Sequence, residues 1–239
     1  MSEKDKINQI SAVSLYSAGV MPVAIDYCFS ILKRHVNGGT LLELGPAEGV
    51  MTKKFVETDF DVSVVEGSSL FCQNIKEEFP SVRVYNELFE NFETSEKFDT
   101  IVLGHVLEHV QDPVVILSKF KKYLKDDGVI FAAVPNALSI HRQAAVHMKL
   151  LQDEHELNEL DIHHGHRCVF NPGTFKKVFE NSGLPVTVFG GYWFKPVTNG
   201  QIEQSWTPDM ISAFMALGEK YPEIAGEIYI VSKQLSADS

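Results

Sequence analysis

The chain has 239 residues, 44% of them hydrophobic and 22% charged, which is close to the average for globular proteins. Aspartate and glutamate number 32 against 21 lysines and arginines, so the formal net charge is −11. A protein this acidic lacks the basic surface on which sequence-independent binding to nucleic acid or to an anionic membrane depends. The composition therefore argues against both kinds of partner.

The sequence also shows neither a membrane span nor a secretion signal. No apolar run approaches the roughly 20 residues that cross a bilayer, and the N-terminal segment has no apolar stretch. Three cysteines, Cys28, Cys72 and Cys168, are scattered and form no C-x-x-C pair. Because isolated cysteines are typical of reduced thiols, we expect a cytoplasmic protein without disulfides.

Short apolar strands alternate with helical patterns in the first half of the chain. After a helix predicted over 21–36, strands are predicted at 40–44, 61–66, 82–85, 98–104 and 128–134. Apolar residues recur at helical spacing between them, most clearly over 113–125. This alternation is the signature of βαβ units, so we predict an α/β fold with a doubly wound, mostly parallel sheet whose core spans 38–135.

The second half is predicted to complete a seven-stranded sheet. A helical pattern runs from His141 to Leu160, and two further strands are predicted at 185–191 and 226–233. The segments 136–168 and 194–222 are expected to be helical inserts that leave the sheet after strands five and six. Since no linker separates a second domain, we predict that 1–239 is one domain with an N-terminal helical cap over 1–37.

The most informative segment is a glycine loop between the first strand and the following helix. Gly45 and Gly49 have the spacing G-x-x-x-G, which differs from the G-x-G-x-x-G of dinucleotide sites. Glu43 precedes this loop and Glu48 lies inside it, so a phosphate would be repelled there. Glu66 ends the second strand, where acidic residues hydrogen-bond ribose hydroxyls in nucleotide-binding folds. These residues favour a cationic or zwitterionic ligand that carries a ribose.

Three motifs in order carry a family resemblance. The segments E-L-G-x-x-x-G, V-V-E-G-S and F-D-T-I-V-L-G-H-V-L-E-H-V-Q-D-P end the first, second and fourth strands. Together they resemble the class I S-adenosylmethionine-dependent methyltransferases, in particular the small-molecule enzymes with an L-E-H-V-x-D-P segment. The resemblance implies a Rossmann-like methyltransferase fold and S-adenosyl-L-methionine as the cofactor.

The resemblance also implies which residues bind that cofactor. The glycine loop would hold the methionine end, Glu43 would lie near its amino group, and Glu66 would bind the ribose. The complete predicted set is Tyr16, Glu43, Gly45, Pro46, Ala47, Gly49, Glu66, Gly67, Leu88, Phe89, Gly104 and His105. On the family pattern, Glu108 and His109 brace the loop that follows the fourth strand.

The acceptor of the methyl group is expected to lie beside the segments after strands four, five and six. His105 and His141 are the candidate catalytic bases. The residues predicted to bind the acceptor are Arg142, His163, His166, Arg167 and Lys195. We predict no metal, because histidines packed into the one short loop 163–166 lack the spacing of zinc ligands.

The cationic side chains predicted on the acceptor side, Arg142, Arg167 and Lys195, favour methylation of oxygen. The acceptor would be a carboxylate or hydroxyl of a small metabolite or short peptide, as in natural-product biosynthesis. N-methylation of an amine or guanidine is the nearest alternative, because the surplus of acidic residues would attract a cation. A nucleoside-binding module without turnover is a second alternative. The missing middle glycine disfavours a nicotinamide-dependent oxidoreductase, and the oligomeric state stays open, a homodimer being one option.

Overall fold

The computed structural model describes Ile7, Ser11 and residues 17–234 of the chain. Its centre is a seven-stranded sheet in the order β3-β2-β1-β4-β5-β7-β6. The strands are β1 (Gly39–Leu44), β2 (Phe60–Val65), β3 (Arg83–Tyr85), β4 (Phe98–Gly104), β5 (Leu124–Pro135), β6 (Val188–Tyr192) and β7 (Glu227–Lys233). β7 runs antiparallel to both of its neighbours, whereas the pairs from β3 to β5 are parallel. The predicted fold class is confirmed.

Helices cover both faces of this sheet. They are α1 (Met21–Leu32), α2 (Val50–Val56), α3 (Ser69–Glu78), α4 (Pro113–Phe120), α5 (Ile140–His147), α6 (Glu159–His164), α7 (Pro172–Asn181), α8 (Asn199–Ser205) and α9 (Pro208–Lys220). Buried side chains of α1, α2, α8 and α9 form one apolar cluster, and those of α4 and α7 form the other. None of the described helices is long and apolar enough to cross a membrane.

The helix predicted over the first insert is wrong, because two shorter helices occupy that segment. α5 ends at His147, and Lys149 then adopts a left-handed backbone with φ of 61° that no α-helix can continue. α6 begins only after Asn158, whose side chain accepts a hydrogen bond from the amide of Asp161 in a reciprocal capping box. The residues between these helices therefore form a loop rather than helix.

Other predicted boundaries also move, and β6 begins at Val188 rather than residue 185. α1 ends at Leu32 rather than residue 36, because the next amides bond three residues back, as from Arg34 to the carbonyl of Ile31. β5 begins at Leu124 rather than residue 128, so it takes the last two residues of the segment predicted as helix. β7 begins at Glu227, one residue later than predicted.

The strand order reverses between β1 and β4, which are neighbours although two strands separate them in sequence. In open α/β sheets, ligands bind in the crevice outside the carboxyl ends of the strands at such a point. The glycine loop follows β1, and His105 follows β4, so both lie beside this crevice.

The contact between α9 and β6 depends on a glycine. A Cβ atom on Gly218 would collide with the backbone of Tyr192 and Trp193. We therefore expect Gly218→Ala to lower the free energy of unfolding by about 1–3 kcal/mol, the usual effect of overpacking. Gly200→Ala in α8 is the matched control, since a Cβ there meets nothing within 4 Å. Urea unfolding checks both variants, and equal stabilities would contradict this packing.

Candidate active site

The glycine loop turns sharply in the left-handed region of the backbone. Gly45, Ala47 and Gly49 have φ values of 61°, 49° and 78°. The amide of Gly45 donates to the carbonyl of Val65 at 2.9 Å, which ties the loop to the end of β2. A Cβ on Gly45 would lie 3.1 Å from a methyl carbon of Val106, tighter than ordinary contact. The loop thus needs glycine for its conformation and for its close approach to the segment after β4.

Glu66 lies directly after β2 and reaches back towards this loop. Its side chain is 6% exposed, and Oε1 accepts a hydrogen bond from the amide of Ser68 at 2.7 Å. Burial raises the pKa of Glu66 to about 7, although hydrogen bonds from the amides of Ser68, Ala47 and Gly67 oppose the shift. The carboxyl group is therefore a stronger base than an exposed glutamate.

These residues line a cavity of about 510 Å³, a volume typical of small-molecule sites. Seven of the predicted cofactor residues lie on its wall: Gly45, Ala47, Glu66, Gly67, Leu88, Phe89 and His105. Ile7 and Ser11 contribute to the same wall. A glycine loop, an acidic residue after β2 and apolar side chains after β3 thus meet in one cavity, which we call the first cavity.

Four predicted cofactor residues do not line the first cavity. Glu43 is buried beneath the loop, where Oε2 accepts a hydrogen bond from Thr52 Oγ1 at 2.6 Å, and burial raises its pKa to about 8. Pro46 and Gly49 belong to the loop behind the wall, and Gly104 pairs with β5. Tyr16, the one predicted cofactor residue not yet mentioned, lies outside the described residues.

His105 separates the first cavity from a second one. Its backbone φ is 57°, and its amide donates to the carbonyl of Ala133 at 2.9 Å. Nδ1 lies 3.4 Å from Oε1 of Glu108, and Nε2 lies 3.8 Å from Oε2 of Glu227. Burial lowers the pKa of His105, but the negative charges of Glu227 and Glu108 outweigh it and raise the pKa to about 9. The ring therefore lies between two buried carboxylates.

The second cavity has a volume of about 320 Å³ and lies beside both inserts. His105 and His164 line both cavities. Four of the residues predicted for the acceptor side line the second one: His141, Arg142, His166 and Lys195. The two cavities thus adjoin at the carboxyl end of β4.

The cationic groups of the second cavity are mostly engaged within the protein. Nη1 of Arg142 donates to Oδ2 of Asp161 at 3.0 Å, Nε donates to the carbonyl of Glu154 at 2.9 Å, and Nη2 donates to that of Glu156. Lys195 Nζ lies 4.7 Å from the ring centroid of Trp193, and burial lowers the pKa of this lysine. Arg142 therefore fixes the loop between α5 and α6, which leaves Lys195 as the cation that faces the cavity more directly.

The remaining predicted residues lie elsewhere. Arg167 is exposed, lines the first cavity rather than the second, and donates from Nε to the carbonyl of His109 at 2.8 Å. His163 is exposed on α6 and lines neither cavity. His141 lines the second cavity, but burial and the nearby charge of Lys195 lower its pKa to about 3. The ring of His141 is therefore neutral at physiological pH.

Two acidic residues of the second cavity are absent from the predicted site. Glu227 is only 6% exposed and lies at the start of β7. In the sequence, its carboxylate within the apolar run 226–233 could have indicated a buried functional residue. Asp161 bonds Arg142, His166 and the amide of Asn158. Its position depends on how the first insert folds, which no local pattern indicated.

Comparison with known proteins identifies the family of this chain. A family model described as a methyltransferase domain matches residues 23–187, more than half of the chain, so the protein belongs to this methyltransferase family. The ubiquinone biosynthesis O-methyltransferase of Actinobacillus pleuropneumoniae serotype 5b (strain L20) is 24% identical over 206 residues, which are 80% of this chain and 82% of that protein. The (S)-coclaurine N-methyltransferase of Papaver somniferum is 29% identical over 104 residues, 40% of this chain and 29% of that protein.

Solved structures show the same fold. The plantazolicin methyltransferase in complex with S-adenosylhomocysteine (SAH) has a TM-score of 0.64 and 13% identity, and the match covers 98% of this chain and 91% of that one. The protein is an S-adenosylmethionine-dependent methyltransferase, and S-adenosylmethionine is its cofactor. The first cavity fits this ligand, since Glu66 can accept hydrogen bonds from ribose hydroxyls and the glycine loop admits a close backbone approach.

The raised pKa of Glu66 makes a testable contribution to stability. A glutamate whose folded pKa is about 7 binds a proton more tightly when folded, so its stabilisation is complete at acid pH and is lost as pH rises through 7. The quantity to follow is the free energy of unfolding of the wild type minus that of Glu66→Gln, both without ligand. We expect this difference to fall by on the order of 1–3 kcal/mol as the pH rises from about 5 to 8. Urea unfolding across this range measures the difference, and a constant difference would contradict the buried position of Glu66.

Proposed function

We propose that this methyltransferase acts on oxygen, at a hydroxyl or carboxylate of a small metabolite or short peptide. The observation that carries the proposal is the second cavity, which adjoins the first at His105. Its volume of about 320 Å³ suits a small molecule or the end of a peptide. The O-methyltransferase that covers 80% of this chain supports the same conclusion.

Within this proposal, a hydroxyl suits the second cavity better than a carboxylate. Three of the five N–H donors of Arg142 bond Asp161 and two carbonyls, so this arginine is held by the insert and cannot turn both prongs of its guanidinium to an anion. Glu203 and Glu227 also line the cavity and would repel an anionic acceptor. The positive charge of His105 is already shared by Glu108 and Glu227, and Lys195 does not balance the remaining negative charge. A neutral hydroxyl meets no such repulsion.

Glu227 is the group best placed to receive the proton of such a hydroxyl. Its Oε2 atom is buried, and within the described part of the chain it accepts no hydrogen bond. Burial raises the pKa of Glu227, which makes the carboxylate a stronger base than an exposed one. When bound, S-adenosylmethionine would supply a methyl group on a sulfonium, and the acceptor oxygen would displace the sulfur as it takes up this methyl group. The protein orients the acceptor oxygen and takes its proton at Glu227.

N-methylation of an amine is a second candidate, which a specific observation favours. The same carboxylates, Glu203, Glu227 and Asp161, would attract a protonated amine into the second cavity. The match to an N-methyltransferase over 40% of the chain is in line with this alternative. Cytoplasmic location, a role in natural-product biosynthesis and assembly as a homodimer stay predictions.

A panel of phenols, aliphatic alcohols, carboxylic acids and amines, incubated with methyl-radiolabelled S-adenosylmethionine, separates the two candidates. We expect labelled products from the hydroxyl compounds, identified as ethers by mass spectrometry. Transfer to amines but to no oxygen compound would overturn the proposal and support the second candidate.

Replacement of Glu227 tests the proton acceptor. We expect Glu227→Gln to lower kcat by about 10²–10⁴-fold, the usual contribution of a general base, and to leave the Kd of SAH unchanged. The matched control is Glu223→Gln, because Glu223 is an exposed glutamate in the turn just before β7. Steady-state kinetics and SAH titration measure both effects. Wild-type kcat in Glu227→Gln would exclude Glu227 as the base.

A further inference from the structure

Three side chains between the two cavities converge on one point. Glu108, His109 and His166 each offer one oxygen or nitrogen atom, and these atoms all lie within 4.8 Å of one another. The rings of His109 and His166 meet edge to face with centroids 4.7 Å apart. His109 lines the first cavity and His166 lines the second, so the cluster forms part of the wall between them.

Glu108 lacks the partners that a buried carboxylate needs. Its side chain is 1% exposed, and neither oxygen accepts a hydrogen bond from any residue in the described part of the chain. The contact with His105 Nδ1 at 3.4 Å is an ion-pair distance rather than a good hydrogen bond. Burying a carboxylate is unfavourable unless hydrogen bonds or a cation compensate its charge. The ring of His105 supplies positive charge from one side, but both oxygens of Glu108 still lack a hydrogen-bond donor among the described residues, so they can bind a further cation.

The two histidines are already oriented by other groups. Nδ1 of His166 lies 3.1 Å from Oδ1 of Asp161, which leaves Nε2 to face the cluster. Asp161 is itself held by Nη1 of Arg142 at 3.0 Å. The ring of His109 has a hydrogen bond with the backbone of Gly165. Histidines that ligate metals typically use their other nitrogen in this way, on a carboxylate or a backbone carbonyl.

We propose that Glu108, His109 and His166 bind a divalent transition-metal ion in the wall between the two cavities. Two imidazoles and one carboxylate are a ligand set for zinc in sites that keep a position open for substrate, and iron uses the same set. The sequence analysis predicted no metal because it considered only the short loop 163–166. The ligands instead come from two segments, the one after β4 and the one after α6, which the fold brings together.

The role of the ion rests on the proposed function. An acceptor hydroxyl in the second cavity would bind the open position with its oxygen. A metal ion lowers the pKa of a bound hydroxyl, so the proton leaves more readily to Glu227 and the oxygen becomes a better nucleophile. The ion would also hold this oxygen at the wall that faces the first cavity.

Cobalt titration tests the site without any acceptor. The full-length protein, stripped with a chelator and desalted, is titrated with Co²⁺ while the visible absorption of the bound ion is recorded. We expect saturable absorption in the wild type. Loss of a residue that only hydrogen-bonds a metal ligand lowers metal affinity roughly 10–100-fold, so Glu108→Gln and His166→Gln, which remove ligands, should lower the affinity for Co²⁺ by at least this factor. His163→Gln is the matched control, since His163 is exposed on α6 near the cluster. Zn²⁺ should displace the cobalt signal.

Titration of every variant with SAH distinguishes the possible failures. A variant that still binds SAH is folded, so its cobalt affinity can be interpreted. No cobalt absorption in a wild type that binds SAH would overturn the metal site and leave the proposed function intact. Equal cobalt affinity in Glu108→Gln, His166→Gln and His163→Gln would also overturn it. If methyl transfer to a hydroxyl is unchanged after chelation, the ion has no part in the reaction.

Discussion

The structure of the site depends on the position of His105 between two buried carboxylates. Glu108 follows β4 and Glu227 begins β7, so the ring joins parts of the chain that are far apart in sequence. The left-handed backbone at His105, which costs a non-glycine residue energy, turns its side chain into the wall between the cavities. His105 therefore lines both cavities from its position directly after β4.

Buried charge sets the chemistry on either side of this wall. On the first side, Glu66 is held by backbone amides and keeps its hydrogen-bonding oxygens at the end of β2. On the second side, Asp161 organises the first insert through Arg142 and His166. The carboxylates in the site thus have two kinds of role, because some face the cavities and others hold the walls in place.

Local motifs were sufficient to predict residues that the fold brings to one cavity. The glycine loop and Glu66 lie at strand ends, where the register of a parallel sheet places neighbouring residues together. Glu43 belongs to the same motif, yet its side chain points beneath the loop to Thr52, because successive residues of a strand face opposite sides of the sheet.

The acceptor side could not be predicted in the same way. Its residues come from two inserts whose packing no periodicity indicates, and the predicted helix over 141–160 hid the turn at Lys149. As a result, Arg142 was expected to grip the acceptor, whereas its guanidinium bonds the insert itself. Glu227 was visible only as an acidic residue in an apolar strand.

Our central proposal is that the cofactor occupies the first cavity and the acceptor the second, so that the sulfur would face the wall at His105. A crystal structure of the protein with SAH tests this claim most directly. The account predicts the ribose hydroxyls on the carboxylate of Glu66 and the sulfur facing His105 and the second cavity. A nucleoside bound among His141, Lys195 and Glu227 would contradict it, as would a sulfur directed away from His105.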